Sequence, residues 1–473
     1  MWCGPAVQRG AVGAGTGVMC RKGSMPIPQG PFTGRTVTDL ARELRDRKTT
    51  SVDLVEQALG AVAVLDPALN AFVTVDAGGA LEAARRADEE LSGGADRGPL
   101  HGLPVAVKDM IMVAGVPATM GSRHFAGYVP DADAACVTAL REAGAVVVGK
   151  TTTHEFAYGP TGDRSATGPS RNPWDPERMS GGSSGGSGAA VAAGMVPLAL
   201  GTDTGGSVRI PAAVCGIAGF KPAYDAIPAD GVFPLSTTLD HVGVLAGTPD
   251  DCLIAYRHLA GDGGGPGREG TEPVRVAWLD PGAVFDGDPR VTRTVRAASG
   301  ASAEVRLSEE VAAELRETYL AIQSCETAAV HAERLERAPE LFDAEVLERL
   351  RAAAELPGWR YVRALEARRR LAGTVGALFE RHDVLALPAV PIVAPPVGAR
   401  EMEVDGRSVA VRPALLALTS PWNVLGFPAL TVPAGTVDGL PVGLQFVCRR
   451  GDEPLLFEAA ARADAARTAR TAD

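Results

Sequence analysis

The chain has 473 residues, 46% of them hydrophobic and 22% charged, with a formal net charge of −11. That composition describes a soluble globular protein of one large α/β domain or two domains, and it excludes extended disorder as the main state. The acidic balance argues against nucleic acid as a partner, and no apolar run reaches the ~18 residues that span a bilayer.

In chain order, residues 1–34 are rich in glycine and lack the charged-then-apolar order of a secretory signal; they read as a disordered extension ahead of a single domain over 35–470. Thr38 is expected to cap a helix over DLARELRDR. Thr50 begins a second, SVDLVEQALGAVAVLD, with Asp53 at the capping-box position. A polar helical run, ALEAARRADEELSGG, leads to PVAVKDMIMV, which reads as a buried strand. ADAACVTALREAGAVVVGK then predicts a helix, a glycine turn and the strand VVVG. Strands alternating with helices imply parallel pairing and a layered α/β fold. Residues 308–380 are almost entirely helical in pattern and form an inserted lobe, within 300–380, before HDVLALPAV, FPALTVPAG and LPVGLQFVC return to the sheet.

Seven cysteines at scattered positions fit a reducing cytoplasm better than disulfides or zinc. No H-E-x-x-H pattern occurs; His154-Glu155 lacks the second histidine, so no metal and no cofactor are expected.

The chemistry concentrates in two glycine-serine loops, GGSSGG over 181–186 and TGGS over 204–207. Neither is a linker, because each runs straight into small apolar residues, and no lysine follows to make a P-loop. Gly182 to Gly186 also satisfies G-x-S-x-G, which would make Ser184 a nucleophile on a strand-to-helix elbow. The preceding SRNPWDPERMS, with two prolines, cannot be the central strand that elbow needs, and Asp240 and His241 are adjacent rather than separately placed. A second chemistry uses serine with lysine, since a desolvated lysine can lose its proton and act as base. Lysine occurs at only five positions, and Lys108 and Lys150 both end apolar strands; spacing alone does not choose between them. In the TGGS loop the backbone N–H groups of Thr204, Gly205, Gly206 and Ser207 can converge as an oxyanion hole. The ordinary alternative there is a glycine turn with Ser207 as a helix N-cap.

Together GLPVAVKD, NPWDPERMSGGSSGGSGAAVAAG, LGTDTGGSVRIPAAVCGIAGFKP, WNVLGFPALTVPAG and GLPVGLQFVCRR closely resemble the motifs of the amidase signature family, over about residues 36–465. The resemblance implies that family's fold, a central mixed β-sheet covered by helices on both faces, with an additional helical lobe at the substrate entrance. It implies Lys108 as base, Ser183, preceded by a cis peptide bond, as proton relay, and Ser207 as nucleophile, with Lys150 structural. It also implies that Asp203 and Arg209 fix the loop, and that Phe156, Tyr158 and Gly159 border the acyl site. Some members that bind a substrate carboxylate carry arginine where Ile210 stands here, which argues against a small dicarboxylic monoamide as substrate. The stretch DPRVTRTVRAASGASAEVRL is shorter than the usual helix-then-strand unit, which implies a clipped helix. Leu320, Ile322, Trp359 and Tyr361 would make an apolar entrance. The implied substrates are small amides, with esters and carbamates sharing the same acyl chemistry; no nucleic acid or membrane partner is implied, and a homodimer stays open. A glutamine-hydrolysing component of a tRNA-dependent amidotransferase carries nearly the same motifs, and a catalytically silent binding protein is the alternative from another class.

Overall fold

Central strands buried on both faces, flanked by shorter edge strands and covered by helices, assemble an eleven-stranded mixed sheet. The computed structural model describes residues 27–260 and 273–472, with side chains to residue 465. Across the sheet the strands run Phe72–Val75, Val146–Thr151, Pro104–Lys108, Leu198–Thr202, Val242–Ala246, Ala218–Lys221, Ala429–Val437, Leu440–Val447, Val384–Pro388, Val276–Leu279 and Ala303–Val305. Pro104–Lys108 pairs in parallel with both Val146–Thr151 and Leu198–Thr202. A second parallel block joins Val276–Leu279 to Val384–Pro388 and to Ala303–Val305, and antiparallel strands link the two blocks. The sheet is therefore mixed, where strand–helix alternation alone suggested parallel pairing.

Several local boundaries differ from expectation. The first helix, Val37–Arg45, is capped by Thr36, whose hydroxyl accepts from Asp39 N at 3.0 Å, and Thr38 falls inside it. The pairing of a threonine with an aspartate three residues on recurs at Thr50 and Asp53, where a full capping box starts the helix Ser51–Leu69. The strand expected over 104–113 stops at Lys108, because the chain turns at Asp109, whose carboxylate accepts from Thr119 N at 3.0 Å and Thr119 Oγ1 at 2.5 Å. The stretch expected to carry a clipped helix forms the ten-residue helix Pro289–Ala298, which buries Val291 and Val295, followed by the edge strand Ala303–Val305.

Residues 27–34, expected to be disordered, pack on the domain; Gly30 N donates to Ala193 O at 2.8 Å and Phe32 is buried. Residues 1–26 of that extension lie outside the described residues. The helical lobe is three helices, Glu309–Arg337, Ala344–Ala354 and Gly358–Gly376; residues 303–305, assigned to it from sequence, belong to the sheet. Two hairpins, Arg171–Asn172 with Asp175–Met179 and Glu401–Val404 with Arg407–Ala410, stand apart from the sheet.

Candidate active site

The Lys108, Thr151 and Thr202 ends of three parallel strands open on one side of the sheet, the usual place for ligand sites in α/β folds. Lys108 is fully buried, and its Nζ donates to Ser183 Oγ at 2.7 Å and to Thr202 Oγ1 at 2.6 Å. Among the described residues no carboxylate pairs with it. Burial pushes its pKa down to about 7, against the weaker opposing pull of Asp203 and Asp240. The peptide bond between Gly182 and Ser183 is cis.

Lys150 lies on the neighbouring strand, opposite Val107, and is equally buried. It differs in its partner, an ion pair with Asp109 at 3.3 Å. Ser184 is engaged differently again. Its hydroxyl donates to Thr202 O at 3.2 Å and accepts from Thr202 N at 3.3 Å, and its N–H donates to Ser207 O at 3.2 Å. Ser184 thus ties the two loops to a strand end, and its hydroxyl touches no base.

Ser207 does not cap a helix; the helix Arg209–Cys215 has Val208 at its N-cap and no side-chain cap. The Ser207 hydroxyl makes no hydrogen bond among the described residues and faces a narrow cleft. The loop around it is fixed from below. Arg209 donates to both oxygens of Asp203, at 3.0 and 2.8 Å, and also to Thr419 O, Gln445 Oε1 and Asn423 Oδ1. Burial works against ionising Asp203, but Arg209, Lys221 and Asn423 outweigh it and hold the carboxyl well below the usual range. That carboxylate accepts from Gly206 N at 2.8 Å and Val208 N at 3.2 Å. The N–H of Gly206 is therefore committed to Asp203. Among the described residues the N–H groups of Thr204, Gly205 and Ser207 have no internal acceptor, so three donors rather than four stay free. Thr419 Oγ1 donates to Gly205 O at 2.6 Å, and a Cβ on Gly205 would lie 2.1 Å from Tyr319 Oη, which explains why only glycine fits.

A family model described as Amidase matches residues 53–457. The chain belongs to the amidase family. It is 36% identical to a glutamyl-tRNA(Gln) amidotransferase component of Roseiflexus sp. (strain RS-1), over 89% of this chain and 94% of that relative. It is 35% identical to the AtzE component of 1-carboxybiuret hydrolase of Pseudomonas sp. (strain ADP), over 87% of this chain and 94% of that relative. Among solved structures, one described as a vestigial protein complex revealing the origins of an s-triazine catabolic enzyme matches with a TM-score of 0.84 and 33% identity, over 90% of this chain and 97% of that one. As an amidase-family member, the chain is a hydrolase acting on carbon–nitrogen bonds.

The substrate-facing expectations divide. Tyr158 and Gly159 line the Ser207 cleft of this amidase, but Phe156 does not. Its ring is fully buried among Phe125, Phe233, Phe342, His124 and His331, so apolar packing places it in a core cluster. A larger outer cleft of about 720 Å³ borders the lobe, and Tyr158 and Arg412 line both clefts. Leu320 and Trp359 line the outer cleft, whereas Ile322 is core and Tyr361 donates to Glu326 Oε1 at 2.8 Å. Arg349, Arg360, Arg363 and Arg412 also line it, which corrects the apolar entrance. Sequence reasoning passed over Thr202, Asn423 and Gln445, although each stands inside a motif it quoted. It also passed over Arg412, which lies in no motif.

Proposed function

We propose that this amidase-family hydrolase cleaves small amides through an acyl-enzyme on Ser207, with Lys108 as base and Ser183 as proton relay. The observation that carries the assignment is the buried Lys108 amine, which has hydroxyls as partners and burial holding its pKa near 7. A lysine in that state is a competent base at neutral pH.

The steps follow from the groups present. Neutral Lys108 takes the Ser183 hydroxyl proton as Ser183 takes that of Ser207, and Ser207 Oγ bonds to the substrate carbonyl carbon. The free N–H groups of Thr204, Gly205 and Ser207 receive the developing oxyanion. Ser183 then delivers a proton to the amide nitrogen, the C–N bond breaks, and the amine leaves. Water attacks the acyl ester through the same relay, releasing the acid and restoring Ser207. Esters and carbamates present the same carbonyl to the same nucleophile and are proposed as additional substrates.

Reaction with a fluorophosphonate, followed by mass-spectrometric mapping, tests the assignment. The label is expected on Ser207 and lost in Lys108→Ala; a label on Ser184 would overturn it. A second function, hydrolysis of glutamine within a larger assembly, is favoured by the 36% identity to an amidotransferase component. It predicts that the chain alone has little glutaminase activity and gains it with partner proteins.

A further inference from the structure

Arg412, in the helix Val411–Ala417, is half-buried and lines the Ser207 cleft as well as the outer cleft. Of the twelve residues lining the Ser207 cleft it alone is an Arg, Lys, Asp or Glu. Its Nε is shut off from solvent without an acceptor, and the side chain makes no hydrogen bond or ion pair among the described residues. Its guanidinium lies 5.9 Å from the centroid of the Tyr158 ring, and that of Arg349 lies 5.3 Å from the same centroid.

Three nearby carboxylates are engaged elsewhere, and of the two that line the outer cleft Glu314 pairs with Arg370 while Glu317 is exposed. Glu345 pairs with Arg164, Arg349 and Arg400, Asp163 with Arg400, and Asp343 with Arg164. Three guanidiniums, those of Arg164, Arg349 and Arg400, therefore share these three carboxylates, and among the described residues Arg412 pairs with none. Burial, and next the charge of Arg412, push the Arg349 pKa down to about 10, so the two cations feel one another. Withdrawing a guanidinium from water without a partner is unfavourable, while its planar fork matches the two oxygens of a carboxylate.

We propose that Arg412 binds a carboxylate carried by the substrate a few bonds from the scissile carbonyl, so that the enzyme prefers anionic amides or ureides to neutral ones. The inference rests on Ser207 being the reacting centre. Ile210 stands where some carboxylate-binding members resembled by this sequence carry arginine, which argued against a monoamide carboxylate substrate; Arg412 supplies the charge from a different element. A zwitterion such as glutamine gains less, because the cleft lining offers its ammonium no Asp or Glu.

Binding to the Ser207→Ala enzyme tests this without turnover. The probes are malonamate, succinamate and glutaramate, each against its neutral diamide, with glutamine alongside. At least one monoamide carboxylate is expected to bind about tenfold or more tighter than its diamide and tighter than glutamine. Adding Arg412→Gln brings that ratio to about one, and Arg412→Lys retains part of it. Equal binding of every acid and diamide, a preference that survives Arg412→Gln, or tighter binding of glutamine would overturn the proposal. Failure of fluorophosphonate to label Ser207 breaks the catalytic assignment independently of these ratios.

Discussion

Lys108 and Lys150 sit on adjacent strands, both fully buried, at neighbouring register positions. One faces hydroxyls and the other a carboxylate, and the roles proposed for them, proton transfer at Lys108 and a structural tie at Lys150, rest on that difference. Burial lowers the pKa of both lysines. At Lys150 the Asp109 carboxylate pulls in the opposite direction and anchors the turn that ends the Lys108 strand. At Lys108 the opposing charges, Asp203 and Asp240, make no ion pair with it, and the amine stays ready to lose its proton. Desolvation is common to both positions; the identity of the first neighbour is what distinguishes them.

Replacing the reacting groups should produce the largest effects. Ser207→Ala is expected to lower kcat/KM by about 10⁴-fold or more, and Lys108→Ala by about 10³-fold, in hydrolysis assays on a reactive anilide. Equal activity in Lys108→Ala and wild type would erase the distinction between the lysines. Lys150→Met should act on stability instead. It leaves Asp109 buried without its cation, at a cost of about 3–5 kcal/mol in denaturant unfolding. The ionisation that governs activity in the surviving folded enzyme is expected to stay where it was.

Lys108 sharpens the contrast through its own effect on stability. Its pKa is about 7 in the folded chain against 10.5 for the free side chain, so between those values the unfolded chain holds a proton that the native one lacks. Stability conferred at this position therefore rises with pH through that window, and the full penalty applies below it. Lys108→Met should raise Tm at neutral pH while abolishing activity, with the gain fading toward alkaline pH. A drop in Tm would show that the hydroxyl contacts outweigh desolvation. Ser184→Ala should be the mildest change, about 1 kcal/mol for the lost strand-end hydrogen bonds, with fluorophosphonate still labelling Ser207.

Much of the local geometry around the proposed site was legible in the sequence because glycine, serine and lysine stood in long contiguous motifs whose geometry is set within a few residues. The capping box at Thr50 and the strand VVVG were legible for the same reason. Groups that act from a distance were not. Arg209 reaches Asn423 and Gln445, more than two hundred residues away, and nothing in local spacing announces such a network. Phe156 was misplaced because an aromatic residue beside a glycine turn fits a pocket wall and a core equally well, and tertiary packing decides. Arg412 was missed because a lone arginine in sequence shows no sign of lacking a partner.

The pH dependence of the rate at which fluorophosphonate labels Ser207 tests the central claim most directly. A lysine base near pH 7 predicts a labelling rate that rises about tenfold per pH unit below that point, levels above it, and is all but lost in Lys108→Ala. A rate flat from about pH 5.5 to about pH 9, or one unchanged by Lys108→Ala, would contradict it.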